Sequence, residues 1–471
     1  MNEKIIIRRV YKKFTGIDPV DMSRLPKSGS DRIYFRIIET NRSVIGVYNP
    51  NREENNTFIG FSKHFASRNL HVPEIFQYFP DDNVYFLQDL GDSNLYTWLE
   101  RRRQLSGMDE TVSEFFRLSL DKLIMFQTKG AMGLDLELCY PHKSFDRQSM
   151  MWDLNYFKYM FLKLVSVPFN EQRLEKDFNH LVGMLLDAGQ DFFLYRDFQS
   201  ANIMVLDNEP WFIDYQGGRM GAPQYDLASL LYDSKAHIPP QMREIMLEYF
   251  VEKFCMQTGY SETRFRDMYP GFVLIRIMQA LGAYGFRGLF EQKPGFVQSI
   301  IPAIRDINSV IEMGSLRSEL PELASILKAI SETRKFETLK EPEILRIKIS
   351  SFSYMNGIPH DSVHGGGFVY DCRGLTNPGK NSEFRDLSGL DKEVAGFMQK
   401  EQDVISFLDD AFRMLNRSIE SYKNKNYTSL AVSFGCTGGQ HRSVFCADAL
   451  AGRLKSVEGI DIEVEHRDIQ N

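Results

Sequence analysis

Cysteine is scarce in this chain of 471 residues, which has five: Cys139, Cys255, Cys372, Cys436 and Cys446. Their number is odd, and no two form a C-x-x-C pair. Scattered cysteines of this kind predict neither a disulfide framework nor a zinc ribbon, and they are typical of a protein kept in a reducing compartment. We therefore expect a cytoplasmic protein.

Long apolar runs are also lacking. The first ten residues, MNEKIIIRRV, contain three consecutive isoleucines before two arginines, and the apolar stretch that begins GFVLI at Gly271 is interrupted by Arg276. A signal peptide needs a longer apolar region, and a membrane-spanning helix needs a much longer one. The sequence thus predicts neither export nor a membrane partner.

The third deficit is positive charge, since the formal net charge is −7. This argues against the broad basic surface of a general nucleic-acid or acidic-membrane binder. Hydrophobic residues make up 43% of the chain and charged residues 25%, which is ordinary for folded protein and excludes a disordered or low-complexity chain. We expect two or three domains that act on small soluble ligands.

The residue patterns divide the chain into four parts. Residues 1–91 predict short strands with turns, at 33–39, 43–48 and 84–88, and a helix at 56–69. Residues 92–335 are mainly helical, with long amphipathic stretches such as 151–165 and 241–257. Residues 336–344 form a charged linker.

Residues 345–471 have the alternating pattern of a small α/β domain. The predicted strands are 345–351, 368–372, 430–434 and 460–464, and the predicted helices are 392–398, 403–424 and 443–454.

One constellation in the helical part points to phosphoryl transfer. Asp197 is followed five residues later by Asn202, then by two short apolar runs (203–206 and 211–214) around a turn at 207–210, and the second run ends in Asp214. Phosphoryl transfer needs a carboxylate to orient or deprotonate the attacking hydroxyl, and oxygen ligands to hold Mg²⁺. The alternative is that Asp197 and Asp214 merely cap turns.

The motifs around this constellation resemble the aminoglycoside phosphotransferase and choline kinase superfamily, and more narrowly the anomeric N-acetylmuramate/N-acetylglucosamine kinases. The motifs are GSDRIYFRI (29–37), VPEIF (72–76), FLQDLGDSNLY (86–96), YRDFQSANIM (195–204) and FIDYQGGRMGAPQYDLASLL (212–231). The resemblance implies a bilobal, protein-kinase-like α+β domain, with residues 1–91 as its N-terminal lobe and 92–335 as its helical C-terminal lobe. It also implies ATP and Mg²⁺ as cofactors.

By this resemblance Asp197 is the catalytic base, Asn202 and Asp214 are magnesium ligands, and Asp226 is structural. The nucleotide would be bound by the turn Gly29, Ser30, Asp31 and Arg32 and, on its adenine side, by Gln88 and Leu90.

One departure from the kinase pattern concerns a lysine. Protein kinases carry a lysine on their third strand, where it neutralises the nucleotide phosphates, but the third strand here reads SVIGVY. Arg32 or Arg36 could supply that charge instead. The alternative is that both are solvated arginines.

A second constellation lies near the C-terminus, where the strand 430–434 leads through GCTGGQHR (435–442) into the helix 443–454. A glycine-bearing loop between a strand and a helix N-terminus presents N–H groups to an anion, so we expect a bound phosphate. Cys436 and Arg442 also have the C-x5-R spacing of cysteine phosphatases. A purely structural glycine turn is the third alternative.

Residues 345–471 resemble the C-terminal domain of the RNase adapter protein RapZ. The shared motifs are SFSYMNGIPHD (351–361), FVYDCRGLTNP (368–378), FRDLSGLDKEV (384–394), FGCTGGQHRSV (434–444) and EHRD (465–468). The resemblance implies a glucosamine-6-phosphate pocket formed by Cys436, Thr437, Gly438, Gly439, His441 and Arg442. It also implies contact with RNA, although the nucleotide-binding module of RapZ is replaced here by the kinase-like part.

The sequence as a whole predicts an ATP- and Mg²⁺-dependent kinase that phosphorylates a hydroxyl of an N-acetylated sugar, joined to a domain that binds an amino-sugar phosphate. One alternative is an acceptor of the aminoglycoside or choline type, which acidic residues in the acceptor pocket would favour. Another is a non-catalytic sugar-phosphate sensor or RNA adapter, which the absent lysine would favour.

Overall fold

The computed structural model describes residues 3–26, 32–39, 42–105, 107–291, 293–332, 345–359, 367–424, 427, 429–455, 457 and 459–469. The chain forms two compact units, one of Met1–Glu291 with Ser299–Lys335 and one of Gln292–Gln298 with Phe336–Asn471. Among the helices of these residues, none combines the length and apolar character that crossing a membrane requires.

The strands up to residue 221 lie in three sheets. They are β1 (Asp21–Arg24), β2 (Ile33–Ile38), β3 (Ser43–Tyr48), β4 (Ile75–Phe79), β5 (Val84–Gln88), β6 (Phe192–Leu194), β7 (Ile203–Leu206), β8 (Glu209–Phe212) and β9 (Arg219–Gly221). The first five form an antiparallel sheet in the order β1-β2-β3-β5-β4, while β6 pairs with β9 and β7 with β8.

The chain up to residue 332 also contains fourteen helices among the described residues. They are α1 (Glu3–Thr15), α2 (Arg52–Ser67), α3 (Leu95–Leu105), α4 (Glu110–Gln127), α5 (Arg147–Phe157), α6 (Lys163–Val165), α7 (Glu171–Leu186), α8 (Gln224–Leu231), α9 (Pro240–Thr258), α10 (Glu262–Tyr284), α11 (Pro294–Val297), α12 (Ile300–Ile311), α13 (Leu316–Glu319) and α14 (Pro321–Glu332). Two π-helical turns, Lys158–Leu162 and Gly285–Phe290, continue α5 and α10.

The five-stranded sheet is covered by a helix that the strand prediction for residues 1–91 missed. Helix α1 buries Ile7, Val10 and Tyr11 against apolar side chains of the sheet such as Phe35 and Phe86. Apolar residues spaced three and four apart form one face of a helix, so the signal was present in the sequence.

Helix α2 begins earlier than residue 56, where the sequence analysis had it start. The Asn51 side chain accepts a hydrogen bond from the Glu54 N–H and so caps the helix, which allows the polar residues 52–55 to form its first turn. This earlier start matters because it brings Glu54 into the helix.

The hairpin formed by β7 and β8 has a shorter turn than the predicted 207–210. Asp207 and Asn208 both have positive φ values, 53° and 61°, as in a two-residue turn between antiparallel strands. Glu209 and Pro210 already belong to β8, so Asp214 lies just beyond the strand end.

The second unit is built on a four-stranded parallel sheet in the order β11-β12-β10-β13. Its strands are β10 (Leu345–Ser353), β11 (Phe368–Asp371), β12 (Ser429–Cys436) and β13 (Ile460–His466), and its helices are α15 (Lys392–Met398), α16 (Gln402–Asn424) and α17 (Arg442–Leu454). All strands and helices predicted for this unit are present.

All four strands of this sheet run in the same direction, so their carboxyl ends meet at one edge. Ser353 of β10 pairs with Cys436 of β12, and Asp371 of β11 pairs with Gly435. In open parallel sheets this edge is where ligands bind. The predicted fold class, a kinase-like α+β domain followed by a small α/β domain, is confirmed.

Candidate active site

A buried carboxylate anchors the loop that carries Asp197. Asp226, which is fully buried at the start of α8, accepts hydrogen bonds from the backbone N–H groups of Tyr195 (2.7 Å) and Arg196 (2.9 Å) and from Gln127 Nε2 (3.0 Å). Arg196 has a φ of 82°, a conformation that its side chain disfavours and that these bonds help to hold. Asp226 thus fixes the loop, which agrees with the structural role expected for it.

The side chain of Arg196 makes a second anchor. Its guanidinium forms a two-pronged ion pair with Asp153 of α5, at 2.7 and 2.8 Å, and donates to the Tyr225 hydroxyl at 2.8 Å. Planar pairing of this type fixes direction as well as distance. The residue before Asp197 is therefore held from both its backbone and its side chain.

Asp197, Asn202 and Asp214 come together at the mouth of the β7–β8 hairpin. Asn202 Nδ2 donates to the Asp197 carbonyl at 2.9 Å and lies 3.5 Å from Asp214 Oδ2. The Ile213 N–H donates to the Asn202 carbonyl at 3.1 Å, which holds Asp214 beside the loop. The three residues of the motif are therefore close together in the structure.

Asp197 has the electrostatic environment of a base. Burial raises the pKa of its carboxyl above the usual value, and the negative charge of Asp214 raises that pKa further. A carboxylate with a raised pKa binds a proton more strongly, which favours proton transfer from a hydroxyl.

Arg32 is buried beside Asp214. Its guanidinium is 6% exposed, donates to Asp214 Oδ1 at 2.5 Å, and lies 3.5 Å from Glu54 Oε1 of α2. A cation paired with a glutamate of this helix is the arrangement that kinases build with their third-strand lysine. Of the two arginines considered from sequence, Arg32 is the one that contacts Asp214.

Arg36, the other candidate, forms its ion pairs with different aspartates. It forms a two-pronged ion pair with Asp89 at 2.6 and 3.0 Å and also contacts Asp92. These aspartates follow β5, so Arg36 ties β2 to the segment that contains Leu90.

The two residues predicted on the adenine side lie at the end of β5. Leu90 is buried, and the side-chain oxygen of Gln88 accepts a hydrogen bond from the Glu74 N–H, which links β5 to the residues before β4. Gly29, Ser30 and Asp31 lie outside the described residues.

Sequence reasoning missed two polar residues of this cluster, Glu54 and Gln216. Gln216 Nε2 donates to Asp214 Oδ1 at 2.8 Å, and its buried Oε1 has no hydrogen-bond partner among the described residues. In the sequence, the only indication that Gln216 belongs to the site was its position two residues after Asp214. Glu54 is distant from the motif, so nothing in the sequence indicated it. Glu54 joins the cluster because α2 brings it within 3.5 Å of Arg32 and 3.4 Å of Gln216.

The donor set fits magnesium. Mg²⁺ prefers oxygen ligands and is bound by one or two carboxylates together with phosphates, so a protein needs to supply only a few oxygens. The Asp214 carboxylate and the amide oxygens of Asn202 and Gln216 are of this kind, and in the part of the chain that the structure describes the Gln216 oxygen accepts no hydrogen bond.

In the second unit the loop 437–441 joins β12 to α17 at the carboxyl edge of the sheet. Thr437 and Gly438 are exposed, and Ser353 Oγ donates to the Thr437 carbonyl at 2.7 Å. Gly439 has a φ of 70°, and a Cβ there would come within 2.9 Å of Asp468 Cβ and 3.0 Å of Ser353 N. The loop conformation therefore depends on glycine at this position.

Two predicted phosphate ligands of this loop also hold its neighbours. Arg442 Nη1 donates to the carbonyls of Arg373 (2.7 Å) and Leu375 (3.3 Å), and His441 Nε2 lies 2.8 Å from the Phe384 carbonyl. These contacts brace the loop against residues 373–384. Within the described residues, the Nε and Nη2 groups of Arg442 make no hydrogen bond.

Cys436 is the last residue of β12 and is only 3% exposed. Its Sγ lies 3.1 Å from Ser443 Oγ, within the apolar core of the unit. A phosphatase nucleophile must reach the phosphorus atom of its substrate, and the burial of Cys436 hinders that access.

Comparison with known proteins gives two family matches. The model described as the phosphotransferase enzyme family matches residues 21–265, and the model described as the RapZ C-terminal domain matches residues 345–470. The predicted resemblances to the phosphotransferase superfamily and to the RapZ C-terminal domain are confirmed, and so is the predicted enzyme class of phosphotransferase.

The curated relatives share only part of their length with this chain. A nucleotide-binding protein of Paraburkholderia xenovorans is 33% identical over 171 residues, which are 36% of this chain and 52% of the relative. One of Methylococcus capsulatus is 38% identical over 126 residues, 27% of this chain and 41% of the relative. The chain thus spans about half of these relatives or less.

Similar solved structures include a choline kinase of Streptococcus pneumoniae, with 13% identity and a TM-score of 0.44 over 65% of this chain and 99% of that one. An ADP-bound aminoglycoside phosphotransferase has 13% identity and a TM-score of 0.44 over 65% and 96%. These similarities carry no information about the substrate of this chain.

Proposed function

Because this chain belongs to the phosphotransferase enzyme family, we propose that its first unit transfers the γ-phosphate of ATP to a hydroxyl of an N-acetylated sugar. The observation that carries the proposal is the cluster of Asp197, Asn202 and Asp214, anchored through Asp226. The sugar as acceptor follows from the motifs that resemble the anomeric sugar kinases.

In the proposed reaction the Asp197 carboxylate accepts the proton of the attacking sugar hydroxyl, which then bonds to the γ-phosphorus while ADP leaves. The raised pKa of Asp197 and the anchoring of its loop suit this role. Asp214 and Asn202, with Gln216 beside them, would hold Mg²⁺, which neutralises the charge of the phosphates when bound. Arg32, held by Glu54, would contribute positive charge on the same side.

For the second unit we propose that it binds an amino-sugar phosphate at the loop 437–441. Within the described residues, the N–H groups of Thr437, Gly438, Gly439 and Gln440 donate to no other group of the protein. N–H groups between a strand and a helix N-terminus attract an anion. A role in RNA contact stays a prediction.

The experiment compares Asp197→Asn and Asp214→Asn in the full chain by ADP release with an N-acetylated sugar and by calorimetric titration with Mg·ATP. We expect Asp197→Asn to lower turnover by at least ~10²-fold with Mg·ATP affinity nearly intact, because only the base is removed. Asp214→Asn should instead weaken Mg·ATP binding. The matched control is Asp267→Asn, an exposed aspartate of α10.

Wild-type turnover by Asp197→Asn would show that the base is wrongly assigned. Failure of the wild-type chain to bind Mg·ATP would favour the alternative of a non-catalytic sensor.

A further inference from the structure

Arg32 lies between two carboxylates, those of Asp214 and Glu54. Its Nη2 donates to Asp214 Oδ1 at 2.5 Å and lies 3.5 Å from Glu54 Oε1. The first distance is that of a hydrogen-bonded ion pair, whereas the second is longer than such a pair requires. A movement of about 1 Å toward Glu54 would exchange the two distances.

Gln216 lies between the same two carboxylates. Its Nε2 donates to Asp214 Oδ1 at 2.8 Å and lies 3.4 Å from Glu54 Oε1. On the other side of Asp214, Asn202 Nδ2 lies 3.5 Å from Oδ2. Donor groups therefore face both oxygens of Asp214, and the two nearest donors share Oδ1.

The ion pair of Arg32 with Asp214 conflicts with a metal ion on that carboxylate. The Asp214 side chain is 34% exposed, so an ion can reach it from solvent. Mg²⁺ requires its oxygen ligands at about 2.0–2.1 Å in octahedral geometry. A guanidinium that stayed on Oδ1 would hold a second positive charge within about 5 Å of the ion, where the low dielectric of a buried position strengthens the repulsion. Arg32 must therefore leave Oδ1 when a metal ion binds there.

Glu54 is placed to receive Arg32. Its Oε2 accepts a hydrogen bond from Nδ2 of the buried Asn49 at 2.9 Å, which leaves Oε1 on the side of Arg32. Arg32 Nε is buried and has no hydrogen-bond partner among the described residues, so no bond at that atom opposes the movement. The hydroxyls of Tyr34 and Tyr85, which also interact with Arg32, are neutral and do not replace the charge of Asp214.

We propose that Arg32 is the counter-ion of Asp214 in the metal-free protein and moves to Glu54 when a divalent cation binds, so that Arg32 weakens the binding of free metal and Glu54 favours it. This rests on the proposed function, because Mg²⁺ at Asp214 is part of it. The exchange keeps the buried charge of Arg32 paired in both states, which avoids the cost of an isolated buried cation.

The test measures the affinity of the full chain for Mn²⁺ alone, without nucleotide, from the electron paramagnetic resonance signal of the unbound ion. Mn²⁺ prefers the same oxygen ligands as Mg²⁺. Arg32→Met removes the charge and keeps an apolar side chain in its place. We expect this variant to bind Mn²⁺ about tenfold or more tightly than the wild type, which is what the loss of a competing charge-assisted hydrogen bond should give.

Two further variants locate the effect. Asp214→Asn should bind Mn²⁺ much more weakly than the wild type, because the carboxylate ligand is lost. Arg317→Met, at an exposed arginine paired with Glu312, is the matched control and should bind like the wild type. The fitted number of binding sites reports the folded fraction separately from the dissociation constant, so partial unfolding of a variant does not imitate either result.

Glu54 separates the exchange from a general effect of charge. Glu54→Gln removes the carboxylate that receives Arg32, so it should weaken Mn²⁺ binding several-fold when Arg32 is present. In the Arg32→Met background no cation needs a new partner, and the same substitution should change the affinity much less. A through-space effect of the Glu54 charge would instead weaken binding equally in both backgrounds.

The inference would be overturned if Arg32→Met bound Mn²⁺ no more tightly than the wild type, or if Glu54→Gln had equal effects in both backgrounds. Mn²⁺ binding that survives Asp214→Asn would place the metal elsewhere and overturn it as well. None of these results depends on the kinase activity, which ADP release measures separately. A chain that shows the expected Mn²⁺ affinities but phosphorylates no sugar would support the inference and contradict the proposed function.

Discussion

Replacement of Asp226 by asparagine should damage both stability and turnover, although this residue is not expected to touch substrate. Its carboxylate is fully buried and accepts three hydrogen bonds, two of them from the backbone of Tyr195 and Arg196. In Asp226→Asn one oxygen becomes an NH2 group, which cannot accept. At least one N–H donor then faces another donor.

The magnitude follows from these contacts. A hydrogen bond to a charged group contributes roughly 1.5–3 kcal/mol, and a buried donor left without a partner costs about 1–3 kcal/mol. Removal of the buried charge offsets part of this loss. We expect a net destabilisation of about 2–4 kcal/mol, and hence a fall in melting temperature of about 5 °C or more.

The same substitution releases the loop that positions Asp197. A displacement of about 1 Å at a reacting group can cost on the order of 10²-fold in rate, so kcat should fall at least about tenfold below the melting temperature of the variant. Thermal unfolding and steady-state ADP release measure the two effects, with Asp267→Asn as control. A variant that melts and turns over like the wild type would refute the anchoring role of Asp226.

Four further outcomes follow from the two sites. Arg32→Ala should raise the KM for Mg·ATP, and Arg32→Lys should restore part of the loss because it keeps the charge beside Glu54; equal KM values in wild type and Arg32→Ala would contradict this. The base must be ionised to accept a proton, and burial raises the pKa of Asp197. As the pH is lowered, kcat/KM should therefore begin to fall at a pH above the ordinary pKa of an aspartate. A kcat/KM that stays constant down to that ordinary pKa would contradict this. Arg442→Ala should weaken glucosamine-6-phosphate binding by a few kcal/mol in calorimetry. The loop would lose a hydrogen-bond donor to the phosphate and also the contacts of Arg442 with the carbonyls of Arg373 and Leu375. Unchanged affinity would show that Arg442 is not part of the site. Cys436→Ser should leave that affinity intact, whereas aryl phosphatase activity in the wild type that disappears in this variant would establish a phosphatase instead.

The elements predicted from sequence are those with a strong local pattern. Strands β2, β3 and β5 and the helices of the second unit follow from apolar periodicity, and the D-x4-N motif with its downstream aspartate located the cluster at the hairpin. Boundaries were less accurate where a capping residue rather than an apolar residue decides them. Capping by Asn51 lets α2 begin at residue 52, four residues before the predicted start. The positive φ values of Asp207 and Asn208 make the hairpin turn two residues long instead of the predicted four.

The pairing of charges could not be read from the sequence. Arg32 meets Glu54 and Asp214, Arg36 meets Asp89, and Arg196 meets Asp153, although the members of each pair are between 22 and 182 positions apart. Which carboxylate each arginine meets depends on how α2 and α5 pack within the first unit. Local patterns carry no information about these long-range contacts.

The most direct test of the proposed kinase activity is phosphorus NMR of the product. The full chain is incubated with Mg·ATP and N-acetylmuramate or N-acetylglucosamine, beside a sample of Asp197→Asn. The proposal predicts ADP together with a new sugar phosphate signal, at the anomeric position by the resemblance to the sugar kinases, and none above background with Asp197→Asn. A spectrum in which neither sugar is phosphorylated while kanamycin yields a phosphate would contradict it.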